Sequence, residues 1–353
     1  MKLPRLFTRC LLRPEDVPPS QDELTVVGAF NPAAVGTSEG VRLMVRVAEV
    51  PKENRPGWVG LPRWDLGAGR VTIDWVSENE VIREDSRSVR FKNDGVVRLT
   101  FVSHLCVVES RDGRSVDNIA KARFFPASAL EDFGVEDPRA TKIGDEFYIT
   151  YVGVSRHGPA TMLSSTRDFR EFRRHGVIFC PDNKDVVFFP EKIDGRYVVL
   201  HRPSISASLT RPEIWIGSSQ NLQDWGRYSP VHGGTKDWEI GRVGAGAPPI
   251  RTAQGWLELY HGNDQRYNEN RVGRYCGGLM LLDSEQPTRI RGLSEAVFIP
   301  EADFERTGFV PDVVFPAGIV EQGETALVYY GAADSVTGVT EFRIRDMLAA
   351  VGK

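Results

Sequence analysis

The chain has 353 residues, of which 41% are hydrophobic and 26% are charged, and its formal net charge is −4. This composition is typical of a globular protein, and the small negative charge excludes a general attraction to nucleic acid or to an anionic membrane. No apolar run approaches the length of a transmembrane helix. Cys10, Cys106, Cys180 and Cys276 form no CxxC pair, so neither a zinc site nor a disulfide framework is indicated.

The opening segment, residues 1–23, makes a poor secretory signal because arginines and prolines interrupt its leucines. We therefore expect a cytoplasmic protein. We treat residues 1–23 as an N-terminal extension that lies across the outside of the protein or contacts another subunit. No linker divides the remainder, so residues 24–353 are predicted to form one domain.

Along the chain the pattern indicates β-strands. Runs rich in Val, Tyr, Leu and Trp are typical of strands, and they read VRLMVRV (41–47), EFYITYV (146–152), RYVVLHR (196–202), WLELYHG (256–262) and ALVYYGA (326–332). Helical periodicity is weak, and short helices are predicted only over residues 127–133 and 341–350.

Each of these runs belongs to a repeat in which a proline, a glycine and a β-rich stretch follow one another. The prolines are Pro32, Pro138, Pro190, Pro249 and Pro316. Five units of about 65 residues predict a five-bladed β-propeller. A β-sandwich or two stacked β domains are the alternatives.

Polar residues fall at matching places in these repeats, and a circular fold would bring them to one site. They are Asn31, Arg46, Asp137, His201, Arg202, His261 and Asp334. Asp137 precedes a proline, which keeps its backbone extended. Taken alone, the sequence EDPR would instead fit a surface turn in which Arg139 pairs with a carboxylate.

Two kinds of site fit the polar residues. His201, His261 and Asp137 could form a metal site with two histidines and one carboxylate. Arg202 and Arg242 with His261 would instead form a clamp for an oxyanion, since the guanidinium fork matches phosphate. The number of arginines favours the clamp, and we expect no metal.

Longer segments resemble glycoside hydrolase family 130, the inverting mannoside phosphorylases and mannosidases, from about residue 30 to 337. They are FNPA at Phe30, GVEDPR at Gly134, DNKDVVFFPEKIDGRYVVLHRP at Asp182, RVGAGAPPI at Arg242, GWLELYHG at Gly255, RYCGG at Arg274, VVFPAG at Val313 and YYGAAD at Tyr329. The resemblance also implies a five-bladed propeller.

The resemblance further implies roles for single residues. Asp137 would be the general acid. Asn31, Arg46, Arg139, Lys192 and Asp334 would bind the sugar. Arg202, Arg242, His261 and Tyr275 would bind phosphate, the co-substrate, and no other cofactor is expected. Trp238, Tyr267 and Phe188 are candidates for stacking on sugar rings.

The resemblance implies a phosphorylase, because hydrolytic members of the family replace phosphate ligands, including the histidine, with acidic residues, whereas His261 and Tyr275 are present here. The chemistry fits this implication, since anionic phosphate needs no base whereas water does. We therefore predict inverting phosphorolysis of terminal β-mannosides to α-mannose 1-phosphate, with β-1,2-mannobiose or short β-1,2-mannooligosaccharides as substrates. We also expect burial or Glu136 to raise the pKa of Asp137, unless a substrate hydroxyl relays the proton.

Three alternatives to this function stay open. One is a hydrolase of the same fold with Glu239 or Glu258 as base, another is a phosphorylase for β-1,4-mannosides, and the third is a non-catalytic propeller. Neither a nucleic acid nor a membrane is expected as a partner, and homo-oligomers are compatible with the sequence.

Overall fold

The structure is a computed structural model that describes residues 2–204, 211–266 and 272–352. These residues fold mainly into antiparallel strands, which confirms the all-β prediction. Five sheets of four or five strands follow one another along the chain, and two smaller sheets interrupt the first. Within the described ranges, no helix is long and apolar enough to cross a membrane.

The first sheet is preceded by one strand and interrupted by an insertion. The preceding strand is β1 (Phe7–Leu12). The first sheet contains β2 (Leu24–Thr37), β3 (Gly40–Pro51), and, after the insertion, β9 (Val102–Ser110) and β10 (Asn118–Phe124). The insertion, residues 52–101, holds the hairpin β4 (Trp58–Asp65) and β5 (Arg70–Ser77) and the sheet β6 (Val81–Arg83), β7 (Ser88–Phe91) and β8 (Val97–Leu99).

The next three sheets are antiparallel and are built largely from consecutive strands. The second contains β11 (Gly134–Ile143), β12 (Glu146–Ser155), β13 (Gly158–Thr166) and β14 (Arg173–Phe179). The third contains β15 (Asn183–Phe188), β16 (Tyr197–Pro203), β17 (Ile214–Ser219) and β18 (Trp225–His232). The fourth contains β19 (Arg242–Gly244), β20 (Ile250–Thr252), β21 (Gly255–Asn263), β22 (Tyr275–Leu282) and β23 (Ile290–Leu293).

The fifth sheet joins the two ends of the chain. It follows a single helical turn, α1 (Asp303–Arg306), and contains β24 (Val314–Gln322), β25 (Thr325–Ala332) and β26 (Val336–Arg343), with helix α2 (Ile344–Val351) at the end. Strand β1 pairs with β26 and completes the sheet. Part of the segment treated as an N-terminal extension is therefore an edge strand of the fifth sheet.

The β-rich runs of the sequence form strands, as predicted, and these are β3, β12, β16, β21 and β25. All nine residues of β21 are buried, because neighbouring sheets cover both of its faces. The predicted helix at 341–350 is found from Ile344 onwards, since residues 341–343 still belong to β26.

The helix predicted over 127–133 is wrong, because this segment forms turns. The carboxylate of Glu131 accepts hydrogen bonds from the Ala127 N–H and from the hydroxyl of Tyr151, which fix the turns in place.

Each pair of consecutive sheets shares an apolar core. A further core joins the fifth sheet to the first, where Tyr329 and Val339 pack with Leu43. Every one of the five sheets is thus packed between two others.

The first strands of the sheets, β2, β11, β15, β19 and β24, position the site. In β2, β11 and β15 the pairing register shifts near Asn31, Asp137 and Asp185. These residues have positive φ angles of 49°, 48° and 53°, so the extended backbone predicted for Asp137 from the following proline is wrong. A bulge redirects a side chain out of the regular alternation, and all three side chains line one cavity at the same end of the strands.

Candidate active site

The cavity has a volume of about 360 Å³ and receives residues from all five sheets and from the insertion. Seven of the residues predicted for the site line it: Asn31, Arg46, Asp137, Arg202, Arg242, Tyr275 and Asp334. The other three predicted residues, Arg139, Lys192 and His261, do not line the cavity.

Asp137 is held from two directions. Its Oδ1 accepts hydrogen bonds from Asn31 Nδ2 at 2.8 Å and from Arg46 Nη1 at 2.9 Å. Its Oδ2 makes no hydrogen bond to a residue of the described ranges. Arg46 Nη2 also donates to Glu136 Oε1 at 2.7 Å, so one guanidinium bridges both carboxylates.

The pKa of Asp137 lies below its ordinary value, contrary to the sequence prediction. Burial raises this pKa, but the charge of Arg46 and the hydrogen bond from Asn31 outweigh burial. Glu136 does not reverse the result, because Arg46 compensates the charges of both carboxylates.

Asp334 behaves in the opposite way. It lies in the β25–β26 turn with a φ of 49°. Burial raises its pKa to about 6, although the charges of Arg87 and Arg46 lower it. A carboxyl group that titrates near neutral pH therefore lies beside one that is ionised.

Among the other residues that line the cavity, Asp185 lies beside Arg202 and His261. Arg202 Nη1 lies 3.0 Å and His261 Nε2 3.2 Å from Asp185 Oδ2. Burial raises the pKa of Asp185, but Arg202 and His261 hold it well below its ordinary range. A Cβ atom on Gly244 would lie 2.2 Å from Asp185 Oδ2, so only glycine fits there.

Three of the four predicted phosphate ligands line the cavity, and the fourth, His261, does not. Arg202 and Arg242 line it, and Arg242 Nη2 donates to Gln265 Oε1 at 2.7 Å. His261 is fully buried behind Asp185, and burial lowers its pKa, so its imidazole is neutral at neutral pH. The ring of Tyr275 lies 6.0 Å from that of His261.

Arg139 and Lys192 were predicted to bind substrate, but the structure places them elsewhere. Arg139 is buried beneath the cavity, where its Nε donates to Gly246 O and its Nη1 to Asp137 O. Lys192 is exposed, and its Nζ lies 4.4 Å from the centre of the Tyr197 ring. Lys184 lines the cavity instead.

Neither glutamate considered as a hydrolytic base lines the cavity. The carboxylate of Glu239 accepts hydrogen bonds from the Tyr260 hydroxyl and from two backbone N–H groups. Glu258 is fully buried, and among the described residues its carboxylate accepts a hydrogen bond only from Gly246 N, at 3.0 Å. Burial raises its pKa to about 8.

Two of the aromatic residues predicted to stack on sugars, Phe188 and Trp238, do not line the cavity. Phe188 is buried against Trp225, and Trp238 packs on Tyr260. Tyr267 lies outside the described residues. The aromatic rings that line the cavity are those of Phe30, Phe101, Tyr275, Phe309 and Phe315.

The alternative metal site does not form. His201 Nδ1 lies 3.0 Å from Asn183 Nδ2, and its ring stacks on Phe179. Burial lowers the pKa of His201 to about 4. In the part of the chain that the structure describes, no group of three or more His, Cys, Asp or Glu residues could hold a metal ion.

The sequence prediction missed several lining residues: Asp85, Arg87, Lys184, Asp185 and Phe315. A signal existed for Asp185, because it occupies in β15 the bulge position that Asn31 and Asp137 occupy in β2 and β11.

Comparison with known proteins identifies the family of the chain. The model of the family Glyco_hydro_130, described as beta-1,4-mannooligosaccharide phosphorylase, matches residues 97–353. The chain is 36% identical over 354 residues to the beta-1,2-mannobiose phosphorylase of Listeria innocua serovar 6a, covering 99% of this chain and 98% of that protein.

Two further similarities extend the comparison. The chain is 35% identical to the 1,2-beta-oligomannan phosphorylase of Thermoanaerobacter sp. strain X514, over 70% of this chain and 81% of that protein. A solved structure of the Listeria innocua beta-1,2-mannobiose phosphorylase with beta-1,2-mannobiose superposes with a TM-score of 0.91 at 35% identity, covering 98% of this chain and 97% of that chain.

Proposed function

The chain belongs to glycoside hydrolase family 130, and from this membership we propose that it is a phosphorylase that cleaves terminal β-mannosides with inversion to α-mannose 1-phosphate. The observation that carries the proposal is the composition of the cavity, in which an aspartate with a free carboxylate oxygen faces two arginines. This combination supplies one acid and one anion site, which is what phosphorolysis requires.

Asp137 is the general acid in this proposal. Asn31 and Arg46 hold its Oδ1, so Oδ2 is left to carry the proton to the leaving oxygen. Asn31, Arg46 and Asp334 surround the mannose ring and bind its hydroxyls. The low pKa of Asp137 means that the acid must take up its proton during binding, either directly or through a substrate hydroxyl.

Phosphate itself supplies a reason for that uptake. A phosphate anion bound near Asp137 adds negative charge, which raises the pKa of the carboxyl. Arg202 and Arg242 hold the anion, and Asp185 keeps Arg202 in place. Binding of phosphate thus raises the pKa of Asp137 and favours the protonated acid. Holding phosphate beside the anomeric carbon also reduces the entropic cost of the attack.

The hydrolytic alternative needs a carboxylate that activates water. Glu239 is occupied by several hydrogen bonds, and Glu258 is buried away from the cavity. Asp185 lines the cavity, but its charge is taken up by Arg202 and His261. These contacts support phosphate over water as the nucleophile.

For the substrate we propose β-1,2-mannobiose or short β-1,2-mannooligosaccharides, because two relatives are named for β-1,2 linkages. A β-1,4-mannoside is the alternative, since the family description names that linkage. Three expectations from the sequence stay predictions. They are that the protein uses no cofactor other than phosphate, that it is cytoplasmic, and that a homo-oligomer is compatible with its sequence.

For the architecture we propose a five-bladed propeller with the five sheets as blades. The support is the cyclic order of the shared cores, in which the fifth sheet packs on the first. The far ends of the first strands also meet at a second cavity of about 400 Å³, lined from all five sheets. Two cavities at opposite ends of the same strands fit a central channel.

Product analysis tests the function. The protein is incubated with β-1,2- and β-1,4-mannobiose, each with and without inorganic phosphate. We expect α-mannose 1-phosphate only with phosphate, faster from the β-1,2 substrate, with the anomer read by NMR. Free mannose formed at equal rates in both conditions would show a hydrolase instead.

A further inference from the structure

The insertion supplies an entire wall of the cavity that no repeat of the fold provides. Its residues on this wall are Asp85, Arg87, Ser88, Val97, Leu99 and Phe101. Strands β7 and β8 pair through Ser88 and Leu99, and the Thr100 N–H donates to Arg87 O at 2.9 Å. The pairing of β7 with β8 and the hydrogen bond from Thr100 therefore hold the backbone of Arg87 in place.

Asp85 fixes the guanidinium of Arg87. Arg87 Nη2 and Nε donate to Asp85 Oδ2 at 2.7 and 3.2 Å. Asp85 Oδ1 accepts from the Arg87 N–H at 2.7 Å. Arg87 Nη1 makes no hydrogen bond to any residue within 2–204, 211–266 or 272–352, so its donors are available to a ligand.

The charge of Arg87 interacts with one residue proposed to bind mannose and with one proposed to bind phosphate. Burial lowers its pKa, but Asp85, Asp334 and Tyr275 raise it. Asp334 is a proposed mannose ligand and Tyr275 a proposed phosphate ligand. Arg87 thus lies near the reacting centre without belonging to either group.

The side chain of Arg87 is more exposed to solvent than the side chains of Asp137 and Asp185. Its side chain is 37% exposed, compared with 16% for Asp137 and 3% for Asp185. A terminal mannose must occupy the closed end of such a cavity, while the rest of the glycan extends toward the opening. Val97 and Phe309 flank this open side, at 40% and 36% exposure.

We propose that Arg87, held by Asp85, binds the sugar on the leaving-group side of the scissile bond, and that the insertion thereby selects the acceptor. The inference rests on the proposed phosphorylase function. The fixed guanidinium donates to acceptor hydroxyls, and the apolar side chains of Val97, Leu99 and Phe309 contact the apolar face of the sugar.

The synthetic direction tests the proposal, because it separates the two substrates. The wild type and the variants Arg87→Ala and Arg87→Lys are assayed with α-mannose 1-phosphate as donor and mannose as acceptor. Loss of a charge-assisted hydrogen bond should raise the acceptor KM about ten- to a hundredfold in Arg87→Ala. The KM for α-mannose 1-phosphate should stay within about threefold, and Arg87→Lys should fall in between.

Arg90→Ala is the matched control, since Arg90 lies on β7, which begins directly after Arg87, and pairs with exposed Glu84. It should leave both KM values unchanged, with circular dichroism confirming that each variant is folded. An unchanged acceptor KM in Arg87→Ala, or an equal rise in both KM values, overturns the proposal. A wild type that forms no disaccharide instead refutes the phosphorylase function on which it rests.

Discussion

The two sides of the cavity have opposite charge and the same kind of organisation. On the proposed sugar side the carboxyls Glu136, Asp137 and Asp334 outnumber Arg46, which bridges the first two. On the proposed phosphate side Lys184, Arg202 and Arg242 outnumber Asp185, which pairs with Arg202. On each side one buried ion of the minority sign therefore pairs with at least one ion of the opposite sign.

This difference explains how one cavity can serve two reactants. Carboxylates favour a sugar that develops positive charge at the anomeric carbon, and guanidinium groups favour the phosphate anion that attacks it. The groups are fixed by hydrogen bonds before the reactants arrive, so little reorganisation is needed. Variants on the two sides should therefore change different kinetic constants.

The largest effect is expected from Asp137→Asn on the sugar side. The amide cannot transfer a proton to the leaving oxygen, so kcat should fall about 10²- to 10⁴-fold. Phosphate affinity, measured by calorimetry, should change little because the phosphate side is intact. Asp145→Asn, an exposed position in the same sheet, is the control. A wild-type kcat in Asp137→Asn would remove this residue from the mechanism.

Arg242→Gln should change the phosphate side alone. Loss of a charged donor should raise the KM for phosphate about ten- to a hundredfold, while the KM for mannobiose stays nearly constant. Initial rates at varied concentrations of both substrates separate the two constants. Arg251→Gln, exposed on β20 of the same sheet, should match the wild type. If mannobiose KM rose by the same factor, the division of the cavity into two sides would be wrong.

The smallest effect is a pH dependence that arises from Asp334. Because its pKa is raised to about 6, the carboxylate becomes protonated as the pH falls below that value and loses its capacity to accept sugar hydroxyls. The value of kcat/KM for mannobiose should therefore fall, by about tenfold at one pH unit below the pKa. Asp334→Asn should be less active but should lack this acidic limb. A limb that persists in the variant would assign the titration to another group.

The same shift affects stability with the opposite sign. The folded protein retains a proton on Asp334 between about pH 4 and 6, where the unfolded chain has released it. This group therefore makes the folded state less stable as the pH rises through that window. Urea unfolding of the wild type and of Asp334→Asn across the window gives its contribution.

The repeat pattern predicted the part of the site that depends on repetition. Equivalent residues such as Asn31 and Asp137 fall at equivalent bulges and reach one cavity. Asp185 was missed because Val186, rather than a proline, follows it. Alignment on Pro190 shifted the third repeat, which also explains the wrong assignment of Lys192.

Other features could not be predicted because they depend on residues that are far apart in the sequence. Arg87 lies in the insertion, which has no counterpart in the other repeats, so the repeat pattern gave no signal for it. The pKa of Asp137 is set by Arg46, which lies 91 residues away. Burial alone would have raised the pKa of Asp137.

The pairing of β1 with β26 also has a consequence for how the protein is made. Phe7 and Thr340, which are hydrogen-bonded, are separated by 333 residues. On the ribosome, β1 emerges before β26 and has no partner until β26 has been translated. A chain truncated before β26 would lack both this partner and the apolar contacts of Val339 with the first sheet. Closure of the fifth sheet therefore couples folding to the synthesis of β26 and leaves chains that end before it exposed to proteolysis.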